Sequence, residues 1–384
     1  MTVETASARA LRPDEGLIER VETVPIRLGL DRDYRGSYYH MPNRCTIITR
    51  LYTSDGIVSE AYNADSDGEQ DEILAIIHRE LVPMVVGKSI FDYEAIWQAM
   101  SFVTRDQLRD RRLAVQAMAC IDTAVWDAIG RALGQPLHRL WGGFRNELPI
   151  IGIGGYYEVA GKPAIEAEVD RFAEFGMVGM KFKIGGLTPQ DDADRLRRAV
   201  GAGPDGFTFI VDANQGYTQS EAVRFVALAS EFVELRWFEE PCRWPNDRLA
   251  MRDVRSTGVP VAAGQSEISH GGMRDLFVEG AIDVCNFDAS WGGGPTEWLR
   301  VAAMAMAFNV ELGHHEEAQI ASHLLASQPH GTYVEAFHPE RDPIFWNMLA
   351  NKPDFSDGVF RLPDTPGLGW ELDADFVKRH RSDK

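Results

Sequence analysis

From Pro149 to Glu335 the chain repeats one local pattern eight times: a short apolar run followed by a stretch of helical period. The runs are Ile150–Ile153, Met177–Ile184, Phe207–Asp212, Leu235–Glu239, Val259–Gln265, Val284–Asp288, Val310–Gly313 and Tyr333–Glu335. Short apolar strands alternating with amphipathic helices are the signature of parallel βα units, whose strands are covered on both faces. Two helix starts are explicit. Thr188-Pro189-Gln190-Asp191 puts a capping hydroxyl before a first-turn proline and an acid, and Thr218-Gln219-Ser220-Glu221 has capping-box spacing. Eight strands over roughly two hundred residues predict an α/β fold closed as a (β/α) barrel rather than an open sheet. No Gly-x-Gly-x-x-Gly opens a helix after a strand, and Gly152-Ile153-Gly154-Gly155 lacks the spacing, so a dinucleotide fold is excluded.

The stretch before the barrel has a different style. Ile18–Leu30 and Cys45–Tyr52 alternate apolar and polar residues and read as antiparallel strands. Between them, 31–43 is polar and aromatic, with Tyr34, Tyr38, Tyr39 and His40 close together and Arg44 just beyond. It reads either as an ordinary hairpin loop or as a flap that closes on a ligand. Asn63–Asp71 is acidic and read as solvated. The period turns helical from Glu72, and Leu113–Leu133 places Met118, Ile121, Val125, Ala128 and Ala132 at three- and four-residue steps, with Gly134 and Pro136 as a stop. The expected organisation is an α+β domain over 1–145, the barrel over 146–357 and a C-terminal segment, 358–384, that packs back on the first domain.

A chain of 384 residues has room for two domains and a sizeable core. Its formal net charge of −19 argues against nucleic acid and against an anionic membrane surface as partners. An anionic substrate then has to be drawn in by local cations. Cys45, Cys120, Cys242 and Cys285 are scattered, which indicates neither a zinc site nor a disulfide framework. Met1–Gly16 is polar, without the apolar core of a signal peptide, and no run is read as long enough to span a bilayer, so the expected location is cytoplasmic.

In a (β/α) barrel the chemistry sits at the C-terminal ends of the strands. Here those ends carry Lys181 and Lys183, then Asp212 with Asn214, Glu239, Gln265 with Glu267, Asp288, His314-His315 and Glu335. A single one of these carboxylates reads more readily as a helix cap or an ion-pair partner, but successive strand ends delivering ionisable groups to one rim do not. Asp212, Glu239 and a third oxygen from the fifth strand are hard donors suited to Mg²⁺. Lys181 and Lys183, two apart, share a strand face; burial and mutual repulsion are expected to lower their pKa values and make a base. Asp288 and His315 are placed to hydrogen-bond across the barrel from that strand, which gives a second base. Lys181 and the metal would hold a substrate carboxylate and stabilise an ene-diolate, with Glu335 donating to it if protonated. A separate metal site at His314-His315-Glu316-Glu317 is disfavoured, because adjacent strand residues point to opposite faces.

The runs Lys181-Phe-Lys183, Val211-Asp212-Ala-Asn214-Gln, Trp237-Phe-Glu239-Glu240-Pro241, Asp288 followed by Gly293-Gly294-Pro-Thr296, and His315 followed by Ile320-Ala-Ser-His323 resemble the enolase superfamily, mandelate racemase/muconate lactonizing enzyme subgroup. The helix Ala119–Asp127, with Asp122, Trp126 and the following Gly134-Gln-Pro136, and the tail Leu362-Pro-Asp-Thr-Pro366-Gly-Leu-Gly369 resemble it too. The resemblance implies a modified enolase-type (β/α) barrel with an α+β N-terminal capping domain whose loop, around Tyr38–Arg44, covers the ligand. It also implies Lys183 as one base and His315 with Asp288 as the other, with Lys181 as carboxylate partner. Asp212 and Glu239 become Mg²⁺ ligands, Asn214 joins the shell around the metal, and Glu335 assists the enolate. One position departs from the family pattern. The fifth strand reads Ala263-Gly264-Gln265 where Ala-Gly-Glu is expected, so the third ligand is either Gln265 or Glu267; Glu267 is favoured because a dication prefers a charged donor.

The same bases serve two reactions. Loss of a β-hydroxyl after α-proton abstraction is dehydration, and reprotonation on the other face is racemisation or epimerisation. The resemblance favours an acid-sugar dehydratase acting on an aldonate or aldarate to give a 2-keto-3-deoxy acid, with a racemase or epimerase second. A ligand-binding homologue without turnover is the reading Gln265 alone would support. Tyr38, His40, Asn214 and Arg341 are candidate substrate contacts, with Arg341 or His338 placed to meet a distal hydroxyl or a second carboxylate, although an Arg between acids is more often an ordinary surface ion-pair former. A homo-oligomer is expected because exposed flaps of two-domain barrels lie near neighbours, though no residue pattern decides it.

Overall fold

The computed structural model describes residues 16–63, 68–157 and 164–383. The readings for Met1–Glu15 and for 64–67 lie outside the described residues.

Strands β1 (Ile18–Arg35), β2 (His40–Thr53) and β3 (Val58–Asn63) form an antiparallel sheet in the order β1-β2-β3. The segment 31–43, read as a loop or flap, is mostly strand. Pairing resumes at Tyr34–Met41 and Arg35–His40 after an irregularity following Gly29, so the turn proper is only Gly36–Tyr39. The helix Arg111–Leu133 packs under this sheet, begins at Asp110, whose carboxylate accepts from the Arg112 N–H, and ends at Gly134 in the left-handed region (φ 63°). By length and composition it is apolar enough to cross a membrane, which the sequence reading missed. Every residue from Leu113 to Gly130 is nevertheless buried in the protein.

All eight expected barrel strands are present: β4 (Glu147–Gly154), β5 (Gly179–Lys183), β6 (Thr208–Asp212), β7 (Phe238–Glu239), β8 (Val261–Ala263), β9 (Val284–Cys285), β10 (Glu311–Leu312) and β11 (Val334–Ala336). Neighbours pair in parallel from β4 to β10, and β11 returns to pair with β4. Closure comes between β10 and the approach to β11, where the Leu312 N–H donates to the His330 carbonyl (2.8 Å) and the Thr332 N–H to that of Leu312 (2.9 Å). Both helix starts read from sequence cap as expected: Thr188 accepts from the Asp191 N–H, and Thr218 and Glu221 form a reciprocal capping box.

Residues after β11 serve both parts of the chain. The hairpin β12 (Asp354–Ser356)–β13 (Val359–Arg361) docks antiparallel on the N-terminal half of β4, with Val359 opposite Pro149 and Arg361 opposite Glu147. Further on, the Leu368 N–H donates to Asp127 Oδ1 (2.7 Å) and the Ser382 N–H to the Pro25 carbonyl (3.0 Å), which ties the tail to the first sheet and its helix. Asp122 accepts from the Thr296 N–H (2.9 Å) and hydroxyl (2.8 Å), and the Trp126 indole N–H donates to that hydroxyl (2.9 Å). The capping helix is thereby fixed to the barrel helix Pro295–Ala307.

Candidate active site

Side-chain alternation divides the barrel interior into a dry lower layer and a polar upper one. Ile151, Ile210, Trp237, Ala262 and Val284 form a separate buried apolar cluster. Two residues further along each strand, on the same face, stand Ile153, Asp212, Glu239, Gly264 and Asn286. The apolar plug seals the bottom of the barrel, and the next layer is left to ionisable groups that are almost wholly buried: Lys181, Asp212 and Glu239 at 0 % exposure, Lys183 at 1 % and Glu335 at 2 %. Burial of this kind is tolerable only if the charges are paired.

They are paired with one another. Lys181 Nζ donates to Glu239 Oε1 (2.7 Å) and to both oxygens of Glu335 (3.0 and 2.9 Å), and lies 3.7 Å from Asp212 Oδ2. Lys183 Nζ donates to Asp212 Oδ2 (2.6 Å) and Asn214 Oδ1 (3.1 Å). This corrects the expected depression of the lysine pKa values. Burial does pull both down, but Glu239, Glu335 and Asp212 outweigh it at Lys181, and Asp212 leads the opposing effects at Lys183, so both stand above the ordinary value. Burial likewise raises Glu239, to about 8 against the pull of Lys181, and raises Glu335, whereas at Asp212 the two ammonium groups overcome burial and lower it. Three carboxyl groups thus share two ammonium groups, and burial holds Glu239 toward its neutral form.

On the far side, His315 Nδ1 lies 3.0 Å from Asp288 Oδ2 and its Nε2 lies 3.4 Å from Glu316 Oε1. An Nδ1–H donated to Asp288 fixes the tautomer and leaves Nε2 as the working nitrogen. Burial, then the charges of Lys181 and Lys183, hold His315 well below its ordinary pKa, so the imidazole is neutral. His314 turns the other way, with its Nε2 accepting from the Ala289 N–H (3.0 Å). The rim is conformationally strained: Asn214, Gln215, Glu240, Glu316 and Glu317 are non-glycine residues with φ between 37° and 62°, all just beyond strand ends.

The fifth strand does not place its two candidate oxygens as expected. Glu267 is turned outward and accepts from Arg248 Nη2 (2.5 Å). Gln265 is buried at 7 % exposure, and its Oε1 is a buried acceptor with no hydrogen-bond partner among the described residues. The strand ends at Ala263, and at Gly264 the backbone takes a φ of +148°, which suits glycine, where a Cβ would meet the backbone of Asn286 and Phe287; strand alternation therefore does not carry through to residue 267. Among the described residues no three His, Cys, Asp or Glu groups converge as a ready metal cluster. The reason is visible in the donor set: Asp212 and Glu239 are turned onto the lysines, and the third oxygen belongs to an amide. Two carboxyl groups on adjacent strands and an orphaned, buried amide oxygen are nonetheless a set of hard oxygen donors that fits a dication.

Of the candidate substrate contacts, Asn214 lies beside Lys183 and Asp212. Tyr38 (77 % exposed) and the exposed His40 point to solvent, which corrects their assignment. Tyr39 is the residue at the hairpin turn that faces inward, its ring 5.8 Å from Lys183 Nζ. Arg341 is buried at 2 % and is not a surface ion-pair former. Several residues escaped the sequence reading. Tyr156 follows β4, whose end carries no ionisable residue to mark it in the sequence, and its ring centroid is 5.9 Å from Lys183 Nζ. Asn286 donates to Glu239 Oε1 (2.8 Å) and precedes Asp288 by two, a spacing that placed it on the same face. Arg44 donates to Glu316 (3.3 Å) and Asp342 (3.1 Å), joining the capping hairpin to the barrel rim, which no local pattern signals.

A closed parallel barrel with buried lysines, carboxylates and a histidine–aspartate pair at one rim, covered by an antiparallel hairpin, defines a class of barrel enzymes that act beside a carboxylate. Known proteins narrow the class. Residues 35–142 match the mandelate racemase/muconate lactonizing enzyme N-terminal domain and residues 164–376 the enolase C-terminal domain-like family. The chain belongs to the enolase superfamily, in its mandelate racemase/muconate lactonizing enzyme-like subgroup. It is 30 % identical to a 3,6-anhydro-alpha-L-galactonate cycloisomerase from Streptomyces coelicolor, covering 94 % of this chain and 99 % of that one. It is 25 % identical to an arabinonate dehydratase from Saccharolobus solfataricus, over 85 % and 88 % of the two chains. A solved mandelate racemase/muconate lactonizing enzyme from a marine actinobacterium, in complex with magnesium, superposes with a TM-score of 0.90 at 48 % identity, covering 96 % and 99 %.

Proposed function

We propose that the protein is a Mg²⁺-dependent acid-sugar dehydratase that removes the α-proton of an aldonate or aldarate and expels the β-hydroxyl to give a 2-keto-3-deoxy acid. The observation that carries the reading is the pair of buried nitrogen bases, Lys183 on β5 and His315 beyond β10, set apart around a cluster of carboxylates. The arabinonate dehydratase and cycloisomerase relatives and the magnesium complex support it.

Asp212, Glu239 and Gln265 are the residues that would hold Mg²⁺, which supplies positive charge next to the substrate carboxylate and so acidifies the adjacent C–H. Were Asp212 and Glu239 so engaged, Lys183 would lose the carboxylate that leads in keeping it protonated, whereas Lys181 would keep Glu335. Burial and mutual repulsion then favour the neutral amine of Lys183. Lys181 meets the substrate carboxylate as a cation, and Glu335, its pKa already raised by burial, can donate to the oxygen on which charge develops. Lys183 or His315 Nε2 takes the α-proton. That proton returns to the departing hydroxyl, so one water is lost per turnover.

The test is incubation of the Mg²⁺-loaded protein in D₂O with a panel of mono- and di-acid sugars, read for 2-keto-3-deoxy product and for deuterium at Cα. Keto product from one compound supports the dehydratase. Deuterium without keto product makes the enzyme a racemase or epimerase, and neither signal across the panel overturns the reading.

A further inference from the structure

We infer that Arg341 forms the far end of the substrate pocket and binds a second, terminal carboxylate, so that the preferred substrate class is the polyhydroxy diacid, an aldarate. The inference rests on the reading above and deepens it.

Two arginines reach the rim between the capping hairpin and β11, and they are treated differently. Arg44 is neutralised by Glu316 and Asp342. Arg341 is at least as deeply buried, yet no carboxylate pairs with it among the described residues. Its Nε and Nη1 are buried without a hydrogen-bond partner there, and its Nη2 meets only the sulfur of Met41 at 3.5 Å. Aromatic rings surround the guanidinium instead: Phe337 with its centroid at 4.3 Å, Tyr34 at 4.7 Å and Tyr156 at 5.8 Å. Ring faces stabilise a cation only partly, and they leave its in-plane N–H groups unsatisfied. A buried guanidinium with two idle nitrogens is therefore a site awaiting an oxyanion, for which its fork geometry is suited.

Its position fits the reacting centre. The Tyr156 ring centroid is 5.8 Å from the Arg341 guanidinium and 5.9 Å from Lys183 Nζ, so one aromatic ring neighbours both the guanidinium and the base. A chain held at one end by Lys181 and reacting beside Lys183 can thus present its other end to Arg341. In a protein of net charge −19, a second anionic group needs such a dedicated cation. The relatives' names point to aldonates; the unpaired guanidinium distinguishes this chain's pocket.

The test compares matched aldonate and aldarate pairs, such as gluconate with glucarate and galactonate with galactarate, on the Mg²⁺-loaded wild type, R341K and R341M. The wild type should favour the diacid of the turned-over pair by about 100-fold in kcat/KM. R341M should lose at least about 30-fold more on the diacid than on the monoacid, mainly through KM, and R341K should lie between. Equal losses on both, or a wild-type preference for the monoacid, would overturn the assignment. A preference for 6-phosphogluconate over both would transfer it to a phosphate terminus. Calorimetry with succinate, glutarate and adipate against butyrate needs no turnover, so it separates this inference from the dehydratase reading. One diacid should bind at least tenfold more tightly than butyrate and lose that advantage in R341M, and no such advantage for any diacid refutes the site even if the dehydratase reading fails.

Discussion

At the residue scale, buried Lys183 and His315 are paired so differently that they rest in different protonation states. Lys183 is held charged by Asp212, and His315 is held neutral by burial and the nearby ammonium groups. Lys183→Ala and His315→Asn should each lower kcat by about 10²–10⁴-fold, measured as keto product, as expected for loss of a general base. If one variant still exchanges the α-proton with solvent deuterium, the missing group acts after abstraction and the retained one takes the proton. Gln265 makes a second test. Gln265→Glu should raise Mg²⁺ affinity about tenfold by calorimetry, since affinity follows ligand charge, whereas Glu267→Gln should leave it unchanged because Glu267 is engaged by Arg248. Both residues were candidates from spacing alone. Strand alternation could not choose between them, because it presumes a continuing strand and β8 ends at Ala263.

At the element scale, the capping hairpin and the barrel rim meet through Arg44. Removing it leaves the Glu316 and Asp342 carboxylates buried at 7 % exposure each, without that cation. Arg44→Ala should destabilise the fold by about 3–5 kcal/mol in urea unfolding. Because Glu316 also neighbours His315 Nε2, the variant should alter the pH dependence of turnover as well as stability. The elements themselves were legible. All eight barrel strands, both barrel-helix caps and the long capping helix with its glycine stop follow from period and capping chemistry. The hairpin tip was not, because strand pairing with only four turn residues overrides the loop-like composition of 31–43.

At the scale of the whole molecule, His323 joins separate parts of the chain. Its Nδ1 accepts from the His138 N–H (3.3 Å), and its Nε2–H donates to the Leu368 carbonyl (2.9 Å), so protonation would break a contact between the capping region and the barrel helix Ala318–Ser327. Burial, reinforced by His138, lowers its pKa to about 3 in the folded protein. The folded value lies below the unfolded one, so the stability it contributes is present above about pH 6.5 and is lost progressively as pH falls toward 3. The loss should be about 1.4 kcal/mol per pH unit. Urea unfolding at pH 7.5, 6.5, 5.5 and 4.5 should show this slope, shallower in His323→Gln. Periodicity and strand-end position, both local properties of the chain, suffice for the barrel, for two antiparallel strands ahead of it and for which residue types crowd one rim. Only the tertiary structure decided the charge state of the lysines, the orphaned oxygen of Gln265 and the unpaired guanidinium of Arg341. Each depends on which groups from distant strands share a buried space, and no local spacing records that.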